Sequence, residues 1–308
     1  MAGSSKKAIY AALIGNSLIA VTKFAAAVHT GSSAMMSEGI HSLVDTGNQV
    51  LLLYGIKRAK IPASPSFPFG HGKEIYFWSF VVAMLIFALG GTVSIYKGWQ
   101  HLYHPTTIEN ILINYAVLGF AIVFEGAALW VAFKEFNLSR GSRSIVRAIT
   151  RGKDPTLFVV VFEDTAALIG LLVALGGLIA YQLTGNPVFD ALASIGIGVV
   201  LILTAVILAL ESKSLLIGES ADPKVVSVID EILEGHSDVA SVNEVATLHM
   251  GPEFIVVTVS VDFNDALPVG QVENAVTRLT GQIKATDQRI QRVFIEAERS
   301  EDHYEPSD

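Results

Sequence analysis

Residues 34–56, with the sequence AMMSEGIHSLVDTGNQVLLLYGI, combine an apolar run with several ionisable side chains. A helix of roughly 20 apolar residues is long enough to cross the hydrocarbon layer of a bilayer. An ionisable group at that depth is costly unless it is paired, so Glu38, His41 and Asp45 are candidates for a functional site or a structural pair. This stretch therefore predicts a membrane helix with a polar site inside the bilayer.

Five further stretches have the length and apolar character of a membrane span, and the whole chain of 308 residues is 51% hydrophobic and only 16% charged. These stretches are 8–28, 77–98, 111–133, 157–181 and 189–210. The sequence thus predicts an α-helical membrane protein with six transmembrane helices.

The charges are divided unevenly along the chain. Residues 1–212 carry 14 Lys and Arg against 11 Asp and Glu, whereas residues 213–308 carry 7 against 18. We therefore expect a six-span transport domain over 1–212 and an acidic cytoplasmic domain over 213–308. The acidic total argues against nucleic acid as a partner. The absence of cysteine excludes a disulfide framework, thiolate metal ligands and a cysteine nucleophile.

Lysine and arginine in the short loops predict the orientation of the spans. The N-terminus and the loops after spans two and four are basic, whereas 29–33, 99–110 and 182–188 contain no Lys or Arg. The basic residues are Lys6, Lys7, Lys57, Arg58, Lys60, Lys73, Lys134, Arg140, Arg143, Arg147, Arg151 and Lys153. We expect a multi-pass protein of the cell inner membrane with both termini in the cytoplasm.

The pattern after residue 213 is that of a small soluble domain. Asp222-Pro223 is a helix start and Gly235 a stop, and a second helix is predicted over 268–287. Alternating apolar residues predict strands over 242–249 and 254–263, and a third over 289–296. The order α-β-β-α-β is typical of a ferredoxin-like α+β domain.

The polar residues of span two lie on one face of the predicted helix. At about 100° per residue, His41 and Asp45 are about 40° apart around the helix axis. Glu38 lies about 60° from His41 and about 20° from Asp45. An imidazole and a carboxylate at this spacing can bind one divalent cation. A hydrogen-bonded polar cluster between helices is the alternative.

Span five carries Glu163 and Asp164 after an apolar run, with no basic residue on the same span. These carboxylates need compensation from Lys23, a proton or a metal ion. Adjacent helical residues diverge by about 100°, so we expect only one of them to face His41 and Asp45 fully. For Lys23 and Glu125, each isolated on its span, a structural partner is the favoured interpretation.

Several motifs together resemble the cation diffusion facilitator family of divalent-metal/proton antiporters. They are Thr30-Gly31-Ser32, Ser37-Glu38-Gly39-Ile40-His41-Ser42-Leu43-Val44-Asp45, Phe69-Gly70-His71-Gly72-Lys73-Glu74 and Ser94-Ile95-Tyr96-Lys97-Gly98. The resemblance covers almost the whole chain. It implies that His41 and Asp45 bind the transported metal, that Asp164 is the aspartate of span five, and that the protein is a homodimer.

The chain departs from the common zinc-transporting pattern, which has a histidine where this sequence has Val160, and instead is similar to a divergent branch with Glu-Asp on span five. Loss of an imidazole leaves Mn, Fe or Co open beside Zn. Other family sites are poorly matched: His71 is present but Ser64 and Phe67 replace expected ligands. In the C-terminal domain, Asn243 and Thr258 replace histidines. Glu296 and Glu298 are candidates for a regulatory metal site, and a solvated acidic face is the alternative.

The resemblance implies proton-coupled efflux of a divalent transition metal, most simply Zn, bound by His41, Asp45 and Asp164. From the helix geometry, a water molecule or Glu163 is expected as the fourth ligand. Protons and metal would compete for these atoms. The metal and protons are cargo, so no resident cofactor and no enzymatic reaction is expected, and the lipid bilayer is the other partner. Two alternatives stay open: a membrane-anchored metal-sensing or structural protein without transport, and a membrane-embedded metallohydrolase, for which no motif such as His-Glu-x-x-His is present.

Overall fold

The computed structural model describes residues 2–140 and 155–303. Two compact units divide the chain: Met1–Lys57 with Ile75–Lys213, and Arg58–Glu74 with Ser214–Asp308. Four of the basic residues used to predict orientation, Arg143, Arg147, Arg151 and Lys153, lie outside the described residues.

Among the described residues before the C-terminal region, long helices predominate, and each of the six predicted spans lies within helical residues. The helices are α1 (Ala2–Thr30), α2 (Ser33–Ala59), α3 (Glu74–Leu85), α4 (Val93–Tyr103), α5 (Ile111–Arg140), α6 (Pro155–Thr184) and α7 (Val188–Ile217). A π-helical segment, Ile86–Thr92, joins α3 to α4, so span three is one rod with a local distortion that the sequence analysis did not predict.

Four helical rods in the described part of the chain are long and apolar enough to cross a membrane: Glu74–Tyr103, Ile111–Leu138, Phe158–Thr184 and Val188–Ile217. A multi-pass helical membrane protein is therefore confirmed. Helices α1 and α2 have 29 and 27 residues but carry several polar side chains each, so their status as spans stays a prediction.

Glycines allow close approach between span three and α7. A Cβ atom on Gly198 would lie 2.7 Å from the carbonyl oxygen of Gly91 and 2.6 Å from a side-chain carbon of Ile95. At Gly98 a Cβ atom would lie 2.7 Å from the carbonyl oxygen of Ala191. Small residues serve this purpose in membrane helices. Gly176, by contrast, has no atom within 4 Å of its Cβ position.

The C-terminal region contains two helices and a small sheet. Its elements are α8 (Pro223–Glu234), β1 (Val239–Gly251), β2 (Phe254–Phe263), α9 (Val269–Thr286) and β3 (Ile290–Ala297). Strand β2 is central: it pairs antiparallel with β1, with Val245 opposite Val259, and parallel with β3, with Val257 opposite Val293.

Apolar residues of both helices cover the sheet. Ile229 and Leu233 of α8 and Leu279 and Ile283 of α9 are fully buried against β2. The Asp222 carboxylate accepts a hydrogen bond from the backbone N–H of Lys224, so the predicted helix cap is confirmed. The sequence pattern thus predicted a C-terminal α+β region correctly, with β1 beginning three residues earlier than expected.

Adding a methyl group at Gly198 tests the close contact. We expect Gly198→Ala to lower the free energy of unfolding by about 1–3 kcal/mol through overpacking. The control Gly176→Ala meets no neighbouring atom and gains about 1 kcal/mol of helix propensity. Thermal unfolding in detergent checks this, and equal stabilisation by both substitutions would contradict the described packing.

Candidate metal centre

Helix α2 carries a stripe of polar side chains that faces the interior. Glu38, His41, Asp45 and Asn48 follow one another at intervals of three or four residues, which places them on one face of the helix. Glu38 and Asn48 are fully buried, His41 is 1% exposed, and the Asp45 side chain is 13% exposed. The periodicity predicted the first three positions, whereas Asn48 was missed because an uncharged amide is not a conspicuous residue in a membrane span.

His41 and Asp45 form the middle of this stripe. His41 Nδ1 lies 3.2 Å from Asp45 Oδ1. Apart from this contact, neither imidazole nitrogen nor that carboxylate oxygen has a hydrogen-bond partner among the described residues. Buried polar atoms are nearly always paired, so unpaired donors of metal-binding type need an explanation. An imidazole and a carboxylate side by side can bind a divalent cation or exchange a proton.

Lys23 of α1 neutralises Glu38, the first residue of the polar stripe on α2. Its Nζ atom lies 3.0 Å from Glu38 Oε2 and donates a 2.8 Å hydrogen bond to Ser42 Oγ. Both charged side chains are fully buried. The structural role predicted for Lys23 therefore has a partner, which is Glu38 and not the carboxylates of α6.

Gly170 of α6 makes room for Glu38. A Cβ atom at this position would lie 2.5 Å from Glu38 Oε1, so any larger residue would displace the carboxylate. Glu38 Oε1 itself has no hydrogen-bond partner in the described structure. The Glu38 carboxylate of α2 therefore occupies the space that Gly170 of α6 leaves open.

The two adjacent carboxylates of α6 point in different directions, as the helical geometry predicts. Glu163 is buried and its Oε1 accepts a 2.8 Å hydrogen bond from Asn48 Nδ2. Asp164 is half-buried and interacts electrostatically with Glu125 of α5 and with Asp45. Glu163 also interacts with Asp45. Both carboxylates of α6 are thus within electrostatic range of the α2 pair.

Glu125 belongs to the same polar region. Its side chain is buried, and Lys23, His41, Asp45 and Asp164 all act on it electrostatically. The sequence interpretation of Glu125 as a residue with a structural partner did not place it here, because no local pattern links a single glutamate on span four to residues on other spans.

The described ranges contain no group of three or more His, Asp or Glu side chains already converged to hold a metal ion. The ligand set of His41, Asp45, Asp164 and Glu163 therefore stays a prediction. The structure brings the pair on α2 together and places the α6 carboxylates near it.

A buried anchor holds the start of α2. Asp190 Oδ1 accepts a 2.5 Å hydrogen bond from Ser32 Oγ, and Asp190 Oδ2 accepts a 2.6 Å bond from the backbone N–H of Ser33. A carboxylate at a helix N-terminus also interacts favourably with the helix dipole. His101 Nε2 lies 3.9 Å from Asp190 Oδ2. Asp190 and His101 are both buried.

The loop residues of the second unit form an ion-pair network. His71 Nδ1 lies 3.0 Å from Glu74 Oε1, and Arg58 donates two hydrogen bonds to that same oxygen, at 3.0 and 2.7 Å. Ser64 and Phe67 exchange backbone hydrogen bonds in a tight turn. Because the Glu74 carboxylate binds both Arg58 and His71, a structural role is favoured for this segment.

The acidic end of β3 is also occupied by protein contacts. Glu298 Oε2 lies 2.7 Å from His303 Nδ1 and accepts a 2.8 Å bond from Ser260 Oγ, and the hydrogen bond with His303 lowers the pKa of the Glu298 carboxyl. Asn243 Nδ2 donates to Ser260 Oγ and to the Glu298 carbonyl oxygen. His249 is buried.

A family model supports the motif resemblance. The model of the cation efflux transmembrane domain matches residues 9–217 of this chain. The chain belongs to the cation efflux family. The family predicted from the motifs of spans two and three is therefore confirmed.

Individual relatives of this cation efflux protein come from distant organisms. It is 34% identical over 289 residues to the Homo sapiens protein named "Proton-coupled zinc antiporter SLC30A9, mitochondrial", covering 93% of this chain and 50% of that protein. It is 33% identical over 267 residues to "Metal tolerance protein C4" of Arabidopsis thaliana, covering 86% and 58%. It is 26% identical over 268 residues to "Cation-efflux pump FieF" of Serratia proteamaculans, covering 86% and 83%. The chain thus spans about half the length of the human relative.

Removing one member of the Lys23–Glu38 pair tests its role. We expect Lys23→Met to destabilise the protein by about 3–5 kcal/mol, because Glu38 is left buried without compensation. The double variant Lys23→Met, Glu38→Gln removes both charges and recovers most of the loss.

Thermal unfolding in detergent measures these differences, with Lys60→Met as an exposed-lysine control. A Lys23→Met protein as stable as the control would contradict the buried pair, and so would a double variant less stable than the single one.

Proposed function

We propose that this chain exports divalent transition-metal cations by proton-coupled antiport, with the cation held between α2 and α6. The observation that carries the proposal is the pair of His41 and Asp45 on α2, whose imidazole nitrogens and carboxylate Oδ1 have no other partner in the described residues. A cation that binds these atoms satisfies them, and a proton does the same. Competition between the two couples their movements.

The proposed ligand set is His41, Asp45, Asp164 and Glu163. The two α6 carboxylates interact electrostatically with Asp45, so a small approach of α6 towards α2 would complete a site around an entering cation. Such approach and separation of helices about a site near the bilayer midplane is alternating access. Gly170 of α6 leaves room for the Glu38 carboxylate of α2.

Zinc is the proposed principal cargo, since the human relative is named as a zinc antiporter. Val160 offers no ligand atom, so this site has one imidazole and three carboxylates. Imidazole suits Zn, Fe and Co, while carboxylates suit Mn, and all four ions are therefore proposed as transportable. No enzymatic step is proposed.

The remaining architecture follows the same proposal. Residues 1–212 would form six spans, with α1 and α2 as the first two, and residues 213–308 would form a ferredoxin-like cytoplasmic domain. The protein would work as a homodimer in an inner membrane with both termini in the cytoplasm. The order α-β-β-α-β and the acidic charge of this domain support its assignment as a soluble domain that attracts cations.

Purified protein in liposomes tests the proposal. With an imposed pH gradient, we expect uptake of Zn²⁺ accompanied by opposite proton movement. We expect His41→Ala, Asp45→Ala and Asp164→Ala to reduce the initial rate at least about tenfold, because each removes a cation ligand. The flux is followed with a metal-sensitive dye and the protons with a pH dye.

Matched controls are His104→Ala and Asp265→Ala, which remove an exposed imidazole and an exposed carboxylate. Both should transport at the parent rate. A parent protein that moves none of Zn, Mn, Fe or Co across a pH gradient would contradict transport and favour the sensing or structural alternative.

A further inference from the structure

Asn48 continues the polar stripe of α2 one helical turn beyond Asp45. Its side chain is fully buried. The amide Nδ2 donates a 2.8 Å hydrogen bond to Glu163 Oε1 on α6, while the Oδ1 atom is buried and has no hydrogen-bond partner in the described part of the chain. The amide therefore presents one satisfied donor group and one unsatisfied acceptor.

The free atom distinguishes Asn48 from an ordinary interhelical hydrogen bond. Asn114 of α5 is also buried, but there Oδ1 accepts a 3.0 Å bond from Thr30 Oγ1 and the unpartnered atom is the donor Nδ2. A donor repels a metal ion, whereas an amide oxygen is a ligand that divalent cations use. Only at Asn48, of these two buried asparagines, is the unused atom suited to a cation.

The neighbours of Asn48 share this character. Asp45 lies three residues earlier on the same face, and its Oδ1 has no hydrogen-bond partner in the described structure apart from the 3.2 Å contact with His41 Nδ1. Glu163 is held by the Asn48 amide itself. The carboxylates of Asp45 and Glu163 interact electrostatically. An oxygen-rich position thus lies beside the His41–Asp45 pair, towards the C-terminal end of α2.

We propose that Asn48 is a further ligand of the transported cation, contributing Oδ1 beside the carboxylates of Asp45 and Glu163. This inference rests on the proposed transport function and adds a residue that determines metal preference. Amide and carboxylate oxygens favour Mn²⁺ relative to Zn²⁺, while His41 favours Zn²⁺. The Nδ2 hydrogen bond also keeps Glu163 directed towards this position.

The test measures initial rates of Zn²⁺ and Mn²⁺ uptake into liposomes by the full chain at increasing metal concentration. Asn48→Leu replaces the amide by an apolar group of similar size, and Asn48→Asp keeps the oxygen ligands. Asn114→Leu is the control for loss of a buried asparagine. Thermal unfolding of each variant confirms that it is folded.

We expect Asn48→Leu to raise the apparent KM for Mn²⁺ at least about tenfold and that for Zn²⁺ by a smaller factor, because an oxygen ligand is lost. Asn48→Asp should return the KM for Mn²⁺ to within about twofold of the parent, and Asn114→Leu should leave both KM values unchanged. If Asn48→Leu does not fold, Asn48→Asp alone is the test. We then expect its KM for Mn²⁺ to fall relative to its KM for Zn²⁺.

Two results would overturn the role of Asn48: unchanged KM values for both metals in Asn48→Leu, or an equal increase for both metals that Asn48→Asp does not reverse. If Asn48→Leu does not fold, an unaltered ratio of the KM values for Mn²⁺ and Zn²⁺ in Asn48→Asp would overturn it. Failure of the transport proposal is distinguishable, because the parent protein itself would then show no flux.

Discussion

The buried ion pair between Lys23 and Glu38 is the interaction on which the polar interior depends. A glutamate in hydrocarbon is costly unless a positive charge or a proton accompanies it, and Lys23 Nζ lies 3.0 Å away. Because this lysine is committed to Glu38 and Ser42, it does not neutralise the pair of His41 and Asp45. The next turn of α2 is left with unpaired polar atoms that a mobile cation or proton can satisfy.

Hydrogen bonds to other helices fix α2 on both sides of the pair of His41 and Asp45. At its start, Asp190 binds Ser32 and Ser33, and Ser37 Oγ lies 2.7 Å from Ser194 Oγ of α7. Nearer its other end, Asn48 binds Glu163 of α6. Between these anchors, His41 and Asp45 contact each other and no further hydrogen-bonding group of the described structure. The arrangement fixes the position of the pair without using its ligand atoms.

Local periodicity predicted the parts of the centre that lie on one helix. The spacing of Glu38, His41 and Asp45 placed them on one buried face, and adjacency of Glu163 and Asp164 implied that they diverge. Contacts between helices had no such signal: the partner of Lys23, the position of Glu125 and the anchor at Asp190 depend on which faces of distant spans meet. The π-helical segment at Ile86–Thr92 had no local signal either, and it contains Gly91, which lies close to Gly198 of α7.

If metal and protons compete for the atoms around His41 and Asp45, metal binding releases protons. Zn²⁺ is added to the detergent-solubilised protein in weak buffer near neutral pH, and released protons are titrated together with bound metal. We expect release of roughly one or more protons per bound metal ion, lost with the binding itself in Asp45→Ala. Stoichiometric binding without proton release, or binding that Asp45→Ala leaves unchanged, would contradict it.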